Sequence, residues 1–248
     1  MTNMQISNLN ELLIVNADGP DKALQDFRAD SSDGLTKVYF KSLEAELLTR
    51  VRAADVVVGC VAWLTSKPIL QELAKKEGVS IIVQKEDFLR PDLGASSSWK
   101  NDLRRLYRQI PRTLTRYDDG FQNTEIHMMS FAGDPSLDPI RCVGNYNREK
   151  LAAFPRAHHK FVVFCRSKTL PLENRRFEDE ARTFEPYEVW TGSFNFTKNA
   201  GFSFENAIVS TDQNLVSAFF KEYGQLAALS EPLDWETDWT APQWRIGT

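Results

Sequence analysis

Two short, strongly apolar segments with a helical segment between them constrain the fold of this chain most. The first runs from Val56 to Trp63 and the second from Val79 to Gln84. Between them, Ser66 suits a helix N-cap, Pro68 suits the first helical turn and Gly78 is expected to close the helix. Two buried strands joined by one helix normally lie parallel in one sheet. The pattern therefore predicts an α/β domain with helices layered on a sheet.

Further periodic segments predict that the sheet and the helical layers extend on both sides of this unit. Helices are expected from Leu43, over about 98–110 and over about 214–229. Further strands are expected at 125–131, 140–144, 158–165, 187–191 and 206–211. Between Arg166 and Pro186 the chain is rich in charge and contains proline, which predicts an exposed loop or excursion.

The composition fits one large folded domain covering residues 1–248. The chain is 42% hydrophobic and 11% aromatic, which is enough for a sizeable core. Its 30 Lys and Arg against 34 Asp and Glu give a formal charge of -4. This balance excludes a surface that is uniformly coated with positive charge, so any site for a polyanion must be local.

The cysteines and the hydropathy pattern predict a cytoplasmic protein with no stable membrane insertion. Cys60, Cys142 and Cys165 are far apart in sequence and form no Cys-x-x-Cys pair, which indicates reduced, buried thiols. The first twenty residues lack the pattern of a signal peptide. No apolar run reaches the length of a membrane span.

Two separate polar segments carry residues that could hold a phosphate group. In the predicted strand at 158–165, side chains alternate between faces, so His158 and Lys160 share one face and His159 points to the other. The second segment is a turn with Ser193 and Asn195 after Gly192. Each piece alone also fits an ordinary strand histidine or an ordinary turn, and the combination favours a site.

Several Lys and Arg residues in and after the predicted helix at 98–110 predict a local surface for nucleic acid. The aromatic residues Trp99, Tyr107 and Tyr117 lie among them in sequence and could stack on unpaired bases. The alternative is a solvated helix face. The predicted contact residues are Lys100, Arg104, Arg105, Arg108, Arg112 and Arg116.

In these segments the chain resembles the phospholipase D superfamily, and the stretch from Thr191 to Val209 is especially similar to its small, single-motif bacterial endonucleases. The family pattern has His-x-Lys on a strand, then Gly-Ser-x-Asn, then Glu-Asn, here Glu205 and Asn206. The resemblance covers about 38–229 and marks 88–123 and 166–186 as insertions in one phospholipase D-like domain. It implies an αβα layered fold with a mixed β-sheet between helices.

The chain departs from the family pattern at two places. Cys165 occupies a position where the family often has Asp, and strand alternation predicts that it faces away from His158. The distance in sequence from Lys160 to Gly192 is longer than in the compact endonucleases. The charged excursion between them could therefore gate or shape the site.

The resemblance implies a mechanism that needs neither metal nor cofactor. His158 is the nucleophile, with His159 as a rival on the wrong face, and a phosphohistidine divides the displacement into two steps. Lys160, Ser193 and Asn195 stabilise charge on phosphate oxygens, and Glu205 orients the histidine. The family's acid is a second histidine from a second motif. Since this chain has one motif and its other histidine, His127, lacks the following x-Lys, we expect a homodimer with a shared site.

The resulting expectation is a metal-independent phosphodiesterase, and above all a nuclease acting on DNA or RNA. A phospholipid phosphodiesterase of the same superfamily is one alternative. A non-catalytic nucleic-acid-binding module with a degenerate site is another, motivated by Cys165. The resemblance further suggests protein partners in bacterial restriction or anti-phage defence.

Overall fold

The computed structural model describes residues 8–86, 89, 98–116, 129–145, 154–171, 173 and 182–233. The strands are β1 (Leu13–Ile14), β2 (Lys22–Ala23), β3 (Ala29–Asp30), β4 (Thr36–Tyr39), β5 (Val56–Val61), β6 (Gly78–Gln84), β7 (Leu114–Arg116), β8 (Met129–Phe131), β9 (Ile140–Val143), β10 (Lys160–Thr169), β11 (Arg182–Gly192), β12 (Ala207–Ser210) and β13 (Glu231–Pro232). The helices are α1 (Leu43–Ala53), α2 (Lys67–Leu73), α3 (Ser98–Arg108) and α4 (Gln213–Leu229).

One mixed sheet organises most of these strands. Its main path runs β13-β9-β6-β5-β10-β11-β12-β4-β3, and β8 pairs with β11 and β7. The β5–β6 and β6–β9 pairs are parallel, and the other pairs are antiparallel. The predicted parallel unit is therefore confirmed. Gly78 begins β6 instead of closing α2, because the helix already ends at Leu73.

Helices cover both faces of this sheet, as the layered prediction requires. On one face the core combines residues of α1, α2 and α3, such as Leu47, Ile69 and Leu106, with strand residues such as Val162. On the other face Val216 and Tyr223 of α4 pack against alternate residues of the same strands. The α/β fold class, with a mixed β-sheet between helices, is confirmed.

The strand directions define two edges of the sheet that matter for function. Here an edge means the row of strand ends on one side of the sheet, not an outermost strand. The carboxyl edge is the side where β5 and β6 end, and the amino edge is the side where they begin. Antiparallel to β5, β10 begins at the carboxyl edge, where Lys160 pairs with Val61, and reaches the amino edge, where Cys165 pairs with Val56. β11 then returns to the carboxyl edge and ends there at Gly192.

The charged excursion at 166–186 is strand at both of its described ends. β10 continues to Thr169 and β11 begins at Arg182, so the two strands form a ribbon. Phe184 on this ribbon is buried against Phe131 and Phe220, whereas the charged side chains occupy its exposed positions. Lys168 pairs with Glu185, and Arg182 pairs with Glu77. The predicted loop is therefore wrong for these residues.

The position of the ribbon also argues against a gating role for its described part. At about 3.4 Å per residue, Thr169 lies roughly 30 Å along β10 from Lys160. The ribbon extends from the amino edge, whereas Lys160 lies at the carboxyl edge.

The cysteines and the helices agree with the sequence predictions about burial and membrane spans. Cys60, Cys142 and Cys165 are free thiols and are buried, and burial raises the pKa of Cys60 to about 12. Among the helices in the described ranges, none combines the length and the apolar character that crossing a bilayer requires.

Candidate active site

His158 and Lys160 meet at the start of β10. Lys160 Nζ lies 3.1 Å from Nδ1 and 3.2 Å from Nε2 of the His158 ring, and 3.1 Å from the His158 carbonyl oxygen. Lys160 is only 8% exposed, whereas His158 is exposed. A neutral imidazole has one acceptor nitrogen, so the ammonium can donate to one ring nitrogen at a time. The His158 and Lys160 side chains of the predicted His-x-Lys motif are therefore in direct contact.

The surroundings of this pair favour a neutral imidazole. Burial lowers the pKa of His158 below 6.5, and the positive charges of Lys160, Arg156 and His159 lower it further. Burial also lowers the pKa of Lys160, while Glu205 opposes that effect. A neutral histidine beside an ammonium combines a ring lone pair with a donor for an anionic oxygen.

The Gly-Ser-x-Asn segment begins where β11 ends, beside Lys160. Phe161 pairs with Thr191, so the register places Gly192 next to Lys160 at the carboxyl edge. A Cβ on Gly192 would lie 2.3 Å from the carbonyl oxygen of Asn206, so the close approach of β12 requires glycine. Ser193 N–H donates to that same oxygen at 3.1 Å. Ser193 Oγ accepts the Asn206 N–H at 3.0 Å, which leaves its own O–H for another acceptor.

Asn195 lies in a segment that is fixed to the loop after β5. Phe196 N–H donates to the Trp63 carbonyl, and the Phe196 carbonyl accepts N–H groups of Thr65 and Ser66 at 2.8 Å. Among the described residues, the buried Oδ1 of Asn195 has no hydrogen-bond partner. An unpaired buried polar atom costs about 1–3 kcal/mol. A ligand that donates a hydrogen bond to this oxygen would remove that cost.

Glu205 acts on Lys160 rather than on His158 within one chain. It is half-buried, and its negative charge favours the protonated form of Lys160. Within the described part of the chain, Glu205 makes no hydrogen bond to the His158 ring. The role of orienting the histidine stays a prediction from the resemblance.

His159 and Cys165 lie on the opposite face of the sheet from Lys160. The His159 ring is edge-on to Phe161 at 5.6 Å, and its Nε2 lies 3.5 Å from Glu222 Oε1 on α4. Cys165 is packed in the core beneath α4, and burial raises its pKa. Both positions follow the strand alternation that the sequence predicts. Neither residue is placed to contact the His158–Lys160 pair.

Two residues that support His158 were missed by the motif analysis. The Trp63 ring is edge-on to the His158 ring at 5.7 Å, and its Nε1–H donates to Glu86 Oε1 at 3.0 Å. The Gln84 side chain accepts the Ala157 N–H at 2.6 Å, which anchors the residue before His158. Trp63 and Gln84 lie at the ends of the predicted strands. Since ligands in α/β sheets bind at the carboxyl ends of strands, that position was the available signal.

Gln84 is held by a second set of contacts around Asn145. Its Nε2 donates to the carbonyl oxygens of Lys85 and Asn145, each at 2.8 Å. Gly144 has φ +97°, and a Cβ there would lie 2.4 Å from Gln84 Oε1. Gln84 therefore connects β6, the loop after β9 and the segment that carries His158.

The basic residues predicted to contact nucleic acid divide into two places. Lys100, Arg104, Arg105 and Arg108 lie on α3, and Arg105 pairs with Asp102 at 3.0 Å. The apolar face of α3 is buried, as predicted, through residues such as Leu103 and Leu106.

Tyr107 anchors α3 near the carboxyl edge. Its hydroxyl donates to the Leu64 carbonyl at 2.6 Å, and Leu64 follows Trp63 in the chain. The basic helix is thereby attached to the same loop that contacts His158.

Arg112 lies apart from this group, and Arg116 belongs to β7. Arg112 pairs with Asp138, and the neighbouring Thr113 donates to the Glu77 carbonyl, which precedes β6 at the amino edge. The Arg116 side chain and His127 lie outside the described residues. The sequence grouped Arg112 with the cations of α3, but the structure places it near the amino edge, because the chain turns toward that edge after α3.

Within the described ranges, no three His, Cys, Asp or Glu side chains converge in a way that would hold a metal ion.

Comparisons with known proteins give one relative in sequence and weak likenesses in structure. No family model matches the chain. A phospholipase D family member, Nuc from Salmonella typhimurium, aligns with a TM-score of 0.43 and 15% identity over 79% of this chain and 95% of that chain. NucT from Helicobacter pylori aligns with a TM-score of 0.45 and 11% identity over 77% of this chain and 94% of that chain.

In sequence, the chain is similar to uncharacterized protein L381 of Acanthamoeba polyphaga mimivirus. The two chains are 30% identical over 217 residues, which cover 85% of this chain and 71% of the relative. The chain belongs to the same protein family as L381.

Proposed function

We propose that this protein is a metal-independent phosphodiesterase of the phospholipase D type, and specifically a nuclease that works through a phosphohistidine on His158. The observation that carries the proposal is the contact of Lys160 Nζ with the His158 ring at 3.1–3.2 Å. This pair lies at the sheet edge that also carries Ser193. The motif resemblance supports the same assignment.

The first step transfers the phosphoryl group to His158. A phosphate oxygen is anionic and is a better acceptor for the Lys160 ammonium than the imidazole is. Substrate binding therefore draws Nζ onto a phosphate oxygen and frees the ring lone pair. The ring nitrogen forms a bond to phosphorus, and the bond to the leaving oxygen breaks.

The leaving oxygen needs a proton, and the catalytic residues of one subunit do not provide it. Lys160 is committed to the phosphate, and His159 lies on the opposite face. We therefore propose a homodimer in which His158 of the second subunit, in its protonated form, donates that proton. The same imidazole, now neutral, takes a proton from the water that hydrolyses the phosphohistidine. The exposed position of His158 is compatible with a facing copy.

Nucleic acid is the proposed substrate because a basic helix is attached to the site loop. Arg104, Arg105 and Arg108 supply the positive charge on α3, and Trp99 is 49% exposed at its start. Cations beside an accessible aromatic ring suit a sugar-phosphate backbone with stackable bases. Cytoplasmic location and partners in restriction or anti-phage defence are part of the proposal through the resemblance.

The deciding experiment is cleavage in EDTA of labelled single-stranded DNA, duplex DNA, RNA and anionic phospholipid vesicles. We expect cleavage of a nucleic acid by the native protein and by His159→Ala, and none by His158→Ala. Cleavage of the vesicles alone would assign a lipid substrate. If the native protein cleaves no substrate and forms no acid-labile phosphohistidine, it is a non-catalytic binding module.

A mixing experiment tests the shared site. If subunits exchange randomly, equal amounts of native and His158→Ala protein give about one quarter native dimers. Activity should then fall to about one quarter of the native value for a shared site and to about one half for independent sites. A monomer in light scattering would contradict the dimer directly.

The two groups of basic residues provide a matched test of the nucleic-acid surface. Replacing Arg104, Arg105 and Arg108 by Ala should weaken DNA binding and make it less dependent on salt, since fewer counterions are released. Arg112→Ala, at the amino edge, should leave binding within about twofold. Equal effects of the two changes would argue against α3 as the contact surface.

A further inference from the structure

A cavity of about 620 Å³ lies on the other side of the segment that follows Gly192. Three pieces of chain form its walls: the entry into α1, the loop from β5 into α2, and the turn at 198–203. Its volume falls in the range of about 300–1,000 Å³ that is typical of small-ligand sites. The cavity is large enough to be a binding site of its own.

The charged lining of this cavity favours an anion. Lys41, Lys67 and Lys198 line it together with one acid, Glu44. Glu44 accepts a hydrogen bond from Ser66 Oγ at 2.5 Å, so its carboxylate is held against the wall of the cavity. In the described part of the chain, none of the three lysines has a carboxylate within ion-pair distance. The remaining excess of positive charge matches a phosphate group.

The apolar lining favours a flat ring. Phe40, Phe194 and Phe202 contribute aromatic surface to the cavity. Phe194 is buried in the core, whereas Phe40 is 41% exposed. An accessible aromatic ring within reach of lysines can stack on a nucleobase while a lysine holds the attached phosphate.

The cavity and the candidate active site share one stretch of backbone. Phe194, which lines the cavity, lies between Ser193 and Asn195 in the chain. Thr65 and Ser66 line the cavity as well, and their N–H groups donate to the Phe196 carbonyl. A ligand in the cavity would therefore lie next to the segment that contacts the scissile phosphate.

We propose that this cavity binds one nucleotide unit, with its phosphate beside Lys67 and Lys198 and its base against Phe40. The choice of a nucleotide rests on the proposed nuclease function. The unit is either the neighbouring nucleotide of a bound strand or a free nucleotide, since both present the same phosphate and base. The two sources differ in whether a mononucleotide binds by itself.

The test measures binding in a His158→Ala background, so that no ligand is cleaved. The probes are AMP in equilibrium dialysis and a fluorescein-labelled single-stranded oligonucleotide in anisotropy titrations. Lys67→Glu and Lys198→Glu change the cavity. Lys221→Glu, exposed on α4 across the sheet, is the charge-matched control. Phe40→Ala is compared with Phe27→Ala, which removes a ring that is 71% exposed outside the cavity lining.

We expect each lysine change in the cavity to weaken binding about tenfold or more, and the control to change it by less than about twofold. If Lys67→Glu weakens the binding of AMP, the cavity is a site for free nucleotide. If Lys67→Glu weakens the binding of the oligonucleotide and AMP does not bind, the cavity is a site for part of a bound strand. Equal affinities of Lys67→Glu, Lys198→Glu and Lys221→Glu for both probes would overturn the proposal.

These outcomes separate the cavity from the proposed function. Cleavage by the native protein together with equal affinities of the lysine variants would leave the nuclease proposal intact and remove the cavity site. Absence of cleavage together with Lys67-dependent AMP binding would remove the nuclease proposal and retain a nucleotide site.

Discussion

The two ends of β10 place the same type of residue in opposite situations. Lys160, at the carboxyl edge, is 8% exposed and contacts a histidine ring. Lys168, eight positions later at the amino edge, has a side chain that is 52% exposed and pairs with Glu185 at 2.7 Å. Among the described residues, Lys160 has no carboxylate within ion-pair distance, whereas Lys168 has one.

This difference separates surface charge that is paired from charge that is buried. In the described part of the ribbon, Arg166, Lys168 and Arg182 each have a carboxylate partner at the surface. At the pair of His158 and Lys160, desolvation lowers the pKa values of both groups, and this shift favours their neutral forms.

The largest expected effect comes from removing the Lys160 ammonium. Removing the Lys168 ammonium at the other end of β10 is the comparison. Lys160→Met should lower kcat for nucleic-acid cleavage by about 100- to 1,000-fold, because a charge-stabilising donor is lost. Lys168→Met should change kcat by less than about twofold, since an exposed ion pair contributes little. Steady-state kinetics on folded proteins measure both values. Similar losses at the two ends would contradict the comparison.

Gln84 tests whether the segment before His158 depends on its buried anchor. Gln84→Ala removes the acceptor for the Ala157 N–H and should lower the free energy of unfolding by about 1–3 kcal/mol. Glu185→Gln on the ribbon should change it by less than about 0.5 kcal/mol. Urea denaturation followed by circular dichroism measures both. A Gln84→Ala protein as stable as the native one would show that Ala157 finds another acceptor or reaches water.

The pKa of His158 tests the electrostatics of the pair. An NMR titration of the ring should give a midpoint below 6.5, with burial as the larger cause and Lys160 as the next. Lys160→Met should raise that midpoint, and Lys168→Met should leave it in place. Because the proposed reaction needs one neutral His158 as nucleophile and one protonated His158 as acid, activity should fall both below and above a pH optimum. A midpoint above 6.5 would mean that a nearby negative charge outweighs both causes.

The smallest expected effect is the coupling between Lys168 and Glu185. A double-mutant cycle with Met and Gln replacements should give at most about 1 kcal/mol. The coupling should shrink in high salt, because solvent screens the pair. Coupling well above this value would show that the Lys168–Glu185 ion pair is shielded from solvent.

Local patterns in the sequence predicted much of the fold and the shared face of His158 and Lys160. The β5–α2–β6 unit followed from two apolar segments with a helical segment between them, and it is confirmed in the structure. Strand alternation alone separated His158 and Lys160 from His159 and Cys165. These features were predictable because the direction of a side chain along a strand depends only on parity.

Contacts between distant segments were decided only by the tertiary structure. Gln84 supports His158 through Ala157, seventy-three positions away, and no local pattern encodes that hydrogen bond. The turn after α3 separates Arg112 from the other cations, and the path of β10 carries the charged ribbon away from the site. Periodicity and spacing specify which face of an element is buried. Which elements meet at an edge depends on the sheet order and on packing across the whole core.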